Sequence, residues 1–93
     1  MDKVEARSVL LAHLEEWRRR TYAELAGEVG QSRQFEATGQ SGTRYQLDVQ
    51  VRWDDKPNGD IHVLGGIDDG GLRAFAPLTA DFILRPDGAF VGE

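Results

Sequence analysis

The chain has 93 residues, of which 40% are hydrophobic and 29% charged, and its formal net charge is −5. This length predicts a single domain, residues 1–93, with one core. The absence of cysteine excludes disulfides, thiol nucleophiles and thiolate metal sites. No apolar run approaches the roughly 20 residues of a membrane helix, and none follows the N-terminus as in a secretory signal. We therefore expect a cytoplasmic protein that does not contact membranes.

The two acidic residue types are segregated along the chain. Every Glu except Glu93 lies in the first half, and every Asp except Asp2 lies in the second. Glu favours helices, whereas Asp favours caps and turns because its short side chain bonds nearby backbone N–H groups. The distribution predicts helices first, followed by strands and turns.

Residues 2–19 have the pattern of an amphipathic helix. Asp2 is a candidate N-cap, and Glu5 follows it by three residues, as in a capping box. Apolar side chains recur at helical spacing. They are Val4, Leu10, Leu11, Leu14 and Trp17.

A second capping pattern, Thr21-Tyr22-Ala23-Glu24, predicts a short helix over about residues 22–28 that ends before Gly30. The run Arg18-Arg19-Arg20 would then lie in the last turn of the first helix, where cations suit the helix dipole. A single helix from 2 to 29, kinked near residue 20, is the alternative.

From Gln34 the hydrophobic period changes to two. A short strand around Phe35 and Ala37 is followed by a turn and a strand over residues 44–53 with strict alternation. Such alternation indicates an antiparallel strand with one buried and one solvent-exposed face. The predicted buried residues are Tyr45, Leu47, Val49, Val51 and Trp53.

The third strand is predicted from Ile61 to Ile67, where Gly65-Gly66 indicates a bulge or the close approach of another element. Leu72 to Ala76 is predicted as the last main strand, and Thr79 to Leu84 as a cap followed by one helical turn. The predicted class is α+β. An N-terminal helix packs on one face of an antiparallel meander of about four strands, with a short C-terminal helical turn.

Two aspartate pairs flank the third predicted strand: Asp54-Asp55 precede it and Asp68-Asp69 follow it. A calcium loop that starts at Asp54 fails, because Lys56 occupies its third position and Gly65 its twelfth. A strand of seven residues separates its two ends by roughly 20 Å. We interpret the pairs first as turn residues and only secondarily as acidic surface for a basic partner, and we predict no metal site.

No motif for catalysis or cofactor binding is recognised. Ser41 lies in a Gly-Gln-Ser-Gly turn and not in a nucleophile elbow. His13 has Trp17 instead of a ligand four residues on, and His62 is interpreted as a lone surface histidine. The acidic net charge argues against nucleic-acid binding through the single arginine cluster. We predict no catalytic residue, no cofactor and no nucleic-acid partner.

The exposed face of the predicted sheet is the remaining candidate binding surface. An antiparallel sheet with helices on one side leaves its other face to solvent or to a partner. We expect a non-enzymatic module that uses this face or the acidic turns to bind a protein or a second copy of itself. The residues assigned to the face are Arg44, Gln46, Asp48, Gln50, Arg52, His62, Leu64, Arg73 and Phe75.

A small enzyme or ligand-binding protein with clustered carboxylates is the alternative. Its carboxylates would act as acid and base or as cation ligands. It requires at least two aspartates within reach of each other in a cleft. The candidates are Asp48, Asp54, Asp55, Asp68 and Asp69.

Two stretches carry a resemblance to known proteins. They are Trp53-Asp54-Asp55-Lys56-Pro57 to Gly65-Gly66-Ile67-Asp68-Asp69-Gly70-Gly71, and the ending Phe90-Val91-Gly92-Glu93. The chain resembles a family of small uncharacterised bacterial proteins of unknown function over most of its length. The resemblance implies a stand-alone small domain, and it implies no activity, ligand or catalytic residue.

Overall fold

The computed structural model describes residues 1–71 and 77–93. Four antiparallel strands pair in sequence order, and two helices pack on one face of the sheet. The α+β prediction is confirmed. The elements are α1 (Lys3–Arg18), α2 (Tyr22–Ala26), β1 (Ser32–Thr38), β2 (Arg44–Trp53), β3 (Ile61–Asp68) and β4 (Leu78–Leu84).

The N-terminal helix α1 begins after Asp2, whose carboxylate accepts hydrogen bonds from the backbone N–H groups of Val4 and Glu5 at 3.1 and 3.0 Å. This cap was predicted. Two of the residues predicted on the apolar stripe are not buried, because Val4 is 82% and Leu11 42% exposed. The buried stripe is Ala6, Leu10, Leu14 and Trp17.

The chain breaks between the two helices, so the alternative of one kinked helix is wrong. The predicted capping box starts α2, since Thr21 Oγ1 accepts from the Glu24 N–H and the Glu24 carboxylate accepts from the Thr21 N–H. The Tyr22 hydroxyl donates to the Gly59 carbonyl at 2.7 Å. This bond ties α2 to the turn between β2 and β3.

The glycine pair in β3 marks a close approach and not a bulge. The pairing of β2 with β3 is continuous past both glycines. A Cβ atom at Gly65 would lie 3.0 Å from Leu10 Cδ1 and 3.1 Å from Leu14 Cδ2. The missing side chain at Gly65 therefore lets α1 lie close against the sheet.

The predicted C-terminal helical turn is wrong. Residues 79–84 belong to β4, which pairs with β3 from Leu78 opposite Ile67 to Leu84 opposite Ile61. Pairing with β3 satisfies the backbone and buries Phe82 and Leu84 in the core, which one exposed helical turn would not do. The strand predicted over Leu72 to Ala76 lies outside the described residues.

The core lies between the helices and one face of the sheet. No helix in the described ranges combines the length and apolarity needed to cross a membrane. The buried core residues are Ala6, Leu10, Leu14, Trp17, Leu25, Tyr45, Leu47, Val49, Val51, Ile61, Val63, Ile67, Phe82 and Leu84.

The C-terminal residues close part of the outer edge of β4. The Val91 N–H donates to the Ile83 carbonyl at 2.9 Å, and Leu84 forms a bridge with Phe90. The C-terminal segment is therefore held against the sheet.

Arg18 links α1 to this C-terminal segment. Its guanidinium carbon lies 4.8 Å from the centre of the Phe82 ring and 4.9 Å from that of Phe90. Its Nη1 atom bonds Glu93 Oε1 at 2.7 Å, which lowers the pKa of the Glu93 carboxyl. Arg18 lies at the end of α1, as predicted, and it also contacts two aromatic rings and a carboxylate.

Candidate functional site

Alternate residues of the four strands point away from the helices and form what we call the open face. Helices lie against the opposite face of the sheet, and the described residues place no helix or strand over the open face. The strand pairing arranges its side chains in cross-strand rows. The rows are Ser32–Gln50–Leu64–Asp81, Gln34–Asp48–Gly66–Thr79, Glu36–Gln46–Asp68, Arg52–His62–Ile83 and Thr38–Arg44.

The described strands place the predicted surface residues of β2 and β3 on this face. Gln50 and Arg52 are exposed, and His62 and Leu64 are half-buried. Arg44 is exposed at the start of β2, with Nη2 at 3.5 Å from Glu36 Oε1. Arg73 and Phe75, which were assigned to the same face, lie outside the described residues.

The two aspartate pairs lie at opposite ends of β3, as strand length predicted. Asp54-Asp55 are in the turn that joins β2 to β3, where the Asp54 N–H donates to the Asp60 carbonyl at 2.9 Å. At the other end, Asp68 Oδ1 accepts from the Gly70 N–H at 2.7 Å, and Asp69 Oδ2 lies 3.7 Å from the N-terminal amine. Among the described residues, no group of three or more His, Cys, Asp or Glu side chains is placed to hold a metal ion.

A shallow depression of about 280 Å³ lies on the part of the open face nearest β1. Asp48 and Asp68, on neighbouring strands, both line it, together with amide and hydroxyl side chains. Its lining offers carboxylate oxygens as acceptors and contains no cationic side chain, so it suits groups that donate hydrogen bonds. The lining residues are Ser32, Gln34, Gln46, Leu47, Asp48, Gln50 and Asp68.

Gly66 gives the Asp48 carboxylate its position. The two residues are opposite each other on β2 and β3. A Cβ atom at Gly66 would lie 2.7 Å from Asp48 Oδ1, so the carboxylate lies over the glycine. The second glycine of the pair therefore shapes the open face, whereas the first shapes the helix contact.

His62 is not the lone surface histidine of the sequence interpretation. Its Nε2 atom lies 2.6 Å from Asp81 Oδ2, and its Nδ1 atom lies 3.4 Å from Arg52 Nε. Arginine only donates, so Nδ1 accepts, and a neutral His62 carries its proton on Nε2 and donates it to Asp81. Both ring nitrogens are thus engaged by described residues.

Asp81 was not among the predicted surface residues, because Thr79 to Leu84 was predicted to be a helix cap followed by one helical turn. A usable signal was present, since Leu78, Ala80, Phe82 and Leu84 alternate with polar or outward residues as in a strand. Once β4 is paired with β3, Asp81 falls in the row next to that of His62. The contact depends on the sheet and not on local sequence.

No family model, curated protein or solved structure matches this chain. The resemblance to small bacterial proteins of unknown function therefore stays a prediction.

A second polar cluster joins α1 to the turn between β1 and β2. Glu5 Oε1 accepts from the Tyr45 hydroxyl and the Ser41 hydroxyl, each at 2.7 Å, and Oε2 accepts from the Ser41 N–H at 2.9 Å. These bonds, led by that from Tyr45, lower the pKa of Glu5, and they raise the pKa of Tyr45 to about 12. All of these donors belong to Ser41 and Tyr45 of the same chain. The cluster therefore links α1 to the turn between β1 and β2 and to β2 itself.

Glu5 therefore does not complete the capping box predicted for α1. Asp2 makes its half of the motif, but the Glu5 carboxylate turns toward Ser41 and Tyr45. Three donors from the turn and from β2 outcompete the single backbone N–H that a capping box would supply.

His13 belongs to the packing of α1. Its Nε2 atom accepts from Trp17 Nε1 at 3.4 Å, and its ring centre lies 4.5 Å from that of Phe35. Partial burial lowers the pKa of His13. His13 thus contributes to the packing between α1 and β1, and its Nε2 atom is engaged by Trp17.

Proposed function

We propose that this protein is a small non-enzymatic interaction module that binds a protein partner through the open face. The supporting observation is a four-stranded face that no described helix or strand covers and that mixes hydrogen-bonding, charged and apolar side chains. Such a mixture, with a polar surround and a few apolar contacts, is typical of non-obligate protein interfaces.

The open face has two unlike halves. Around the depression it presents Asp48 and Asp68 with amide side chains, which accept and donate hydrogen bonds. Toward the start of β3 and the end of β4 it presents the half-buried Leu64 and Ile83 beside Arg52. A partner would place donor groups over the first half and an apolar side chain over the second.

Charge favours a basic partner. On the described part of the open face, Glu36, Asp48, Asp68 and Asp81 outnumber the cations, and the whole chain has a net charge of −5. Complementary charge speeds encounter and disfavours acidic partners. We therefore expect a partner with lysine or arginine at its contact surface, and binding that weakens as salt rises.

Two observations weigh against catalysis on this face. Both nitrogens of His62 are engaged by Arg52 and Asp81, so the ring presents no free base. The depression is lined by the sheet alone and has no opposing wall among the described residues. It can support a side chain of a partner but does not enclose a substrate.

The experiment compares two matched substitutions. Gln50→Arg adds a cation at an exposed position in the centre of the open face, and Gln31→Arg adds the same group at an exposed position before β1. Proteins captured by the wild type are identified by mass spectrometry, purified and titrated by calorimetry. We expect Gln50→Arg to weaken binding by at least about tenfold through charge repulsion with a basic partner.

The Gln31→Arg variant should bind like the wild type. Equal loss in both variants, or equal binding by both, would contradict the proposed face.

A small ligand-binding function is the second candidate, because Asp48 and Asp68 line the same depression. It would take a small cation such as an alkyl guanidinium or amine. Nuclear magnetic resonance titration with methylguanidinium should shift the amide signals of both residues, and Asp48→Asn should remove the shift. Asp54→Asn, at the far end of β3, is the control. No shift at millimolar ligand would exclude this function.

The proposal includes a cytoplasmic location in a bacterial cell. Its support is a chain with no cysteine, which needs no oxidising compartment. Fractionation of cells that express a tagged chain tests the location, and recovery from the periplasm or medium would contradict it.

A further inference from the structure

The two edge strands of the sheet, β1 and β4, differ in how far their outer backbone groups are paired. The outer edge of β4 is partly closed by Phe90 and Val91. The outer edge of β1 pairs with no described residue, because β1 is the first strand of the sheet and pairs only with β2. An open edge carries a row of backbone donors and acceptors that another strand can use.

The pairing of β1 with β2 shows which backbone groups face outward. Bonds from Gly39 N–H to the Thr43 carbonyl and from Val51 N–H to the Gln31 carbonyl flank the ladder. Because hydrogen-bonded pairs alternate in an antiparallel ladder, Arg33, Phe35 and Ala37 bond β2. The outward N–H and carbonyl groups therefore belong to Ser32, Gln34, Glu36 and Thr38.

This edge lacks the devices that usually block edge pairing. β1 has seven residues, contains no proline, and pairs with β2 in a continuous register without a bulge. Its one cation, Arg33, is held by two bonds to the Glu28 carboxylate at 2.8 and 3.0 Å. That pairing engages the guanidinium with the turn between α2 and β1.

We propose that β1 is a homodimerisation edge, at which β1 of a second copy pairs antiparallel to give one continuous eight-stranded sheet. A two-fold axis perpendicular to the sheet keeps the helices of both copies on the same side. It therefore places residues of the same face opposite each other. The register centred on Phe35 is the one that pairs all seven residues of both strands.

Side chains agree with this register. It places Gln34 opposite Glu36 of the second copy, and Ser32 opposite Thr38, with about eight backbone hydrogen bonds in all. The two Phe35 rings meet across the axis as the closely spaced, non-hydrogen-bonded pair, where aromatic side chains stabilise strand pairing. A shift by one step toward Thr38 would instead oppose Glu36 to Glu36, which is repulsive.

Phe35 at the centre of the register is only partly covered by α1. This helix packs chiefly over β3 and β4 and reaches β1 through His13 and Trp17, whose rings lie against Phe35. Phe35 is half-buried, so part of its ring is still available for contact. The open face is not covered in the dimer, so this inference is independent of the proposed partner-binding function.

Sedimentation equilibrium of the wild-type chain from about 5 to 500 μM tests the proposal. We expect a monomer–dimer equilibrium with a dissociation constant of tens of micromolar, since one strand pair is a small interface. Gln34→Pro removes an outward N–H while leaving the bonds to β2, as edge positions allow. This variant should remain monomeric throughout the range, with an unchanged circular dichroism spectrum.

The register is tested by charge. Gln34→Glu opposes two pairs of glutamates across the axis and should raise the dissociation constant about tenfold. The double variant Gln34→Glu/Glu36→Gln removes these pairs and should restore the wild-type value. Because both variants place the same glutamate opposite Asp48 within the chain, the double variant is the matched control.

Two outcomes overturn the β1 interface, and a third overturns its register. A wild-type chain that stays monomeric up to about 500 μM shows that β1 does not pair. A dimer that Gln34→Pro leaves intact places the interface elsewhere, for example on the open face. Weakening by Gln34→Glu without restoration in the double variant would overturn the register centred on Phe35.

Discussion

The two faces of the sheet are built from the same strands but are held by different forces. In β3, Val63 and Ile67 are buried under the helices, whereas His62 and Leu64 are half-buried on the open face. The covered face is fixed by close packing, which tolerates little change in volume. The open face is fixed by pairwise polar contacts, which contribute less to stability and leave groups available for a partner.

The glycine pair shows the contrast at adjacent positions. Gly65 faces the leucines of α1, and Gly66 faces the carboxylate of Asp48. A helix packed in a core must shift as a unit, whereas a carboxylate on a surface can rotate. Stability should therefore respond to changes on the covered face and hardly at all to changes on the open face.

The largest effect is expected for Trp17→Ala. Trp17 is 1% exposed, packs against Phe35 and is covered by Arg20, whose guanidinium carbon lies 3.8 Å from the ring centre. Loss of a buried aromatic side chain should reduce the free energy of unfolding by about 3–5 kcal/mol. Urea denaturation followed by circular dichroism measures it. A loss below about 1 kcal/mol would contradict a core centred on α1.

Gly65→Ala and Gly66→Ala form the second test. At Gly65 the new methyl group meets Leu10 and Leu14 near 3.0 Å, so overpacking should lower the free energy of unfolding by about 1–3 kcal/mol. At Gly66 the Asp48 carboxylate can rotate away, so the change should stay within about 0.5 kcal/mol. Equal effects in urea denaturation would contradict the contrast between the faces.

Acid should weaken the join between α1 and the turn between β1 and β2. The pKa of Glu5 is lowered in the folded state by its bonds to Tyr45 and Ser41. Its contribution is therefore complete above the ordinary carboxyl pKa near 4.5 and is lost as pH falls through the lower folded value. Urea denaturation between pH 6 and pH 2.5 measures the loss.

Glu5→Gln is the variant that isolates this contribution. Its stability should fall less than that of the wild type over the same acid range, because residue 5 no longer titrates. Parallel curves for the two proteins would show that the bonds to Tyr45 and Ser41 do not stabilise the fold.

The smallest effect is expected for Asp81→Asn on the open face. The Asp81 side chain is 52% exposed, so loss of its contact with His62 should cost less than about 1 kcal/mol. The change should instead appear in the nitrogen chemical shifts of the His62 ring, which report its tautomer. If Asp81→Asn lowered the free energy of unfolding as much as Trp17→Ala, both faces of the sheet would contribute equally to stability.

The elements that could be predicted are those whose signal is local. Ten residues of strict alternation identified β2, and Thr21 with Glu24 identified the start of α2, because the capping partners lie three residues apart. In contrast, β4 depends on the edge of β3 for its backbone bonds. Without the contacts to β3, the sequence of β4 is also compatible with a helix cap that ends at Asp81.

The candidate site shows the same division. The open-face residues of β2 and β3 followed from alternation, but the contact of His62 with Asp81 joins residues 19 positions apart. Glu5 had a predicted local partner and instead binds Ser41 and Tyr45, 36 and 40 positions away. The partners of these polar side chains are distant in sequence and are brought close only by the fold. A short stretch of sequence therefore does not predict them.

The order of elements along the chain also has a consequence for synthesis. α1 leaves the ribosome first, yet the strands it packs against, β3 and β4, are the last to emerge. The sheet can grow by adding each strand to its predecessor, since neighbours in sequence are neighbours in space. The apolar stripe of α1 therefore lacks most of its strand contacts until β3 and β4 have emerged.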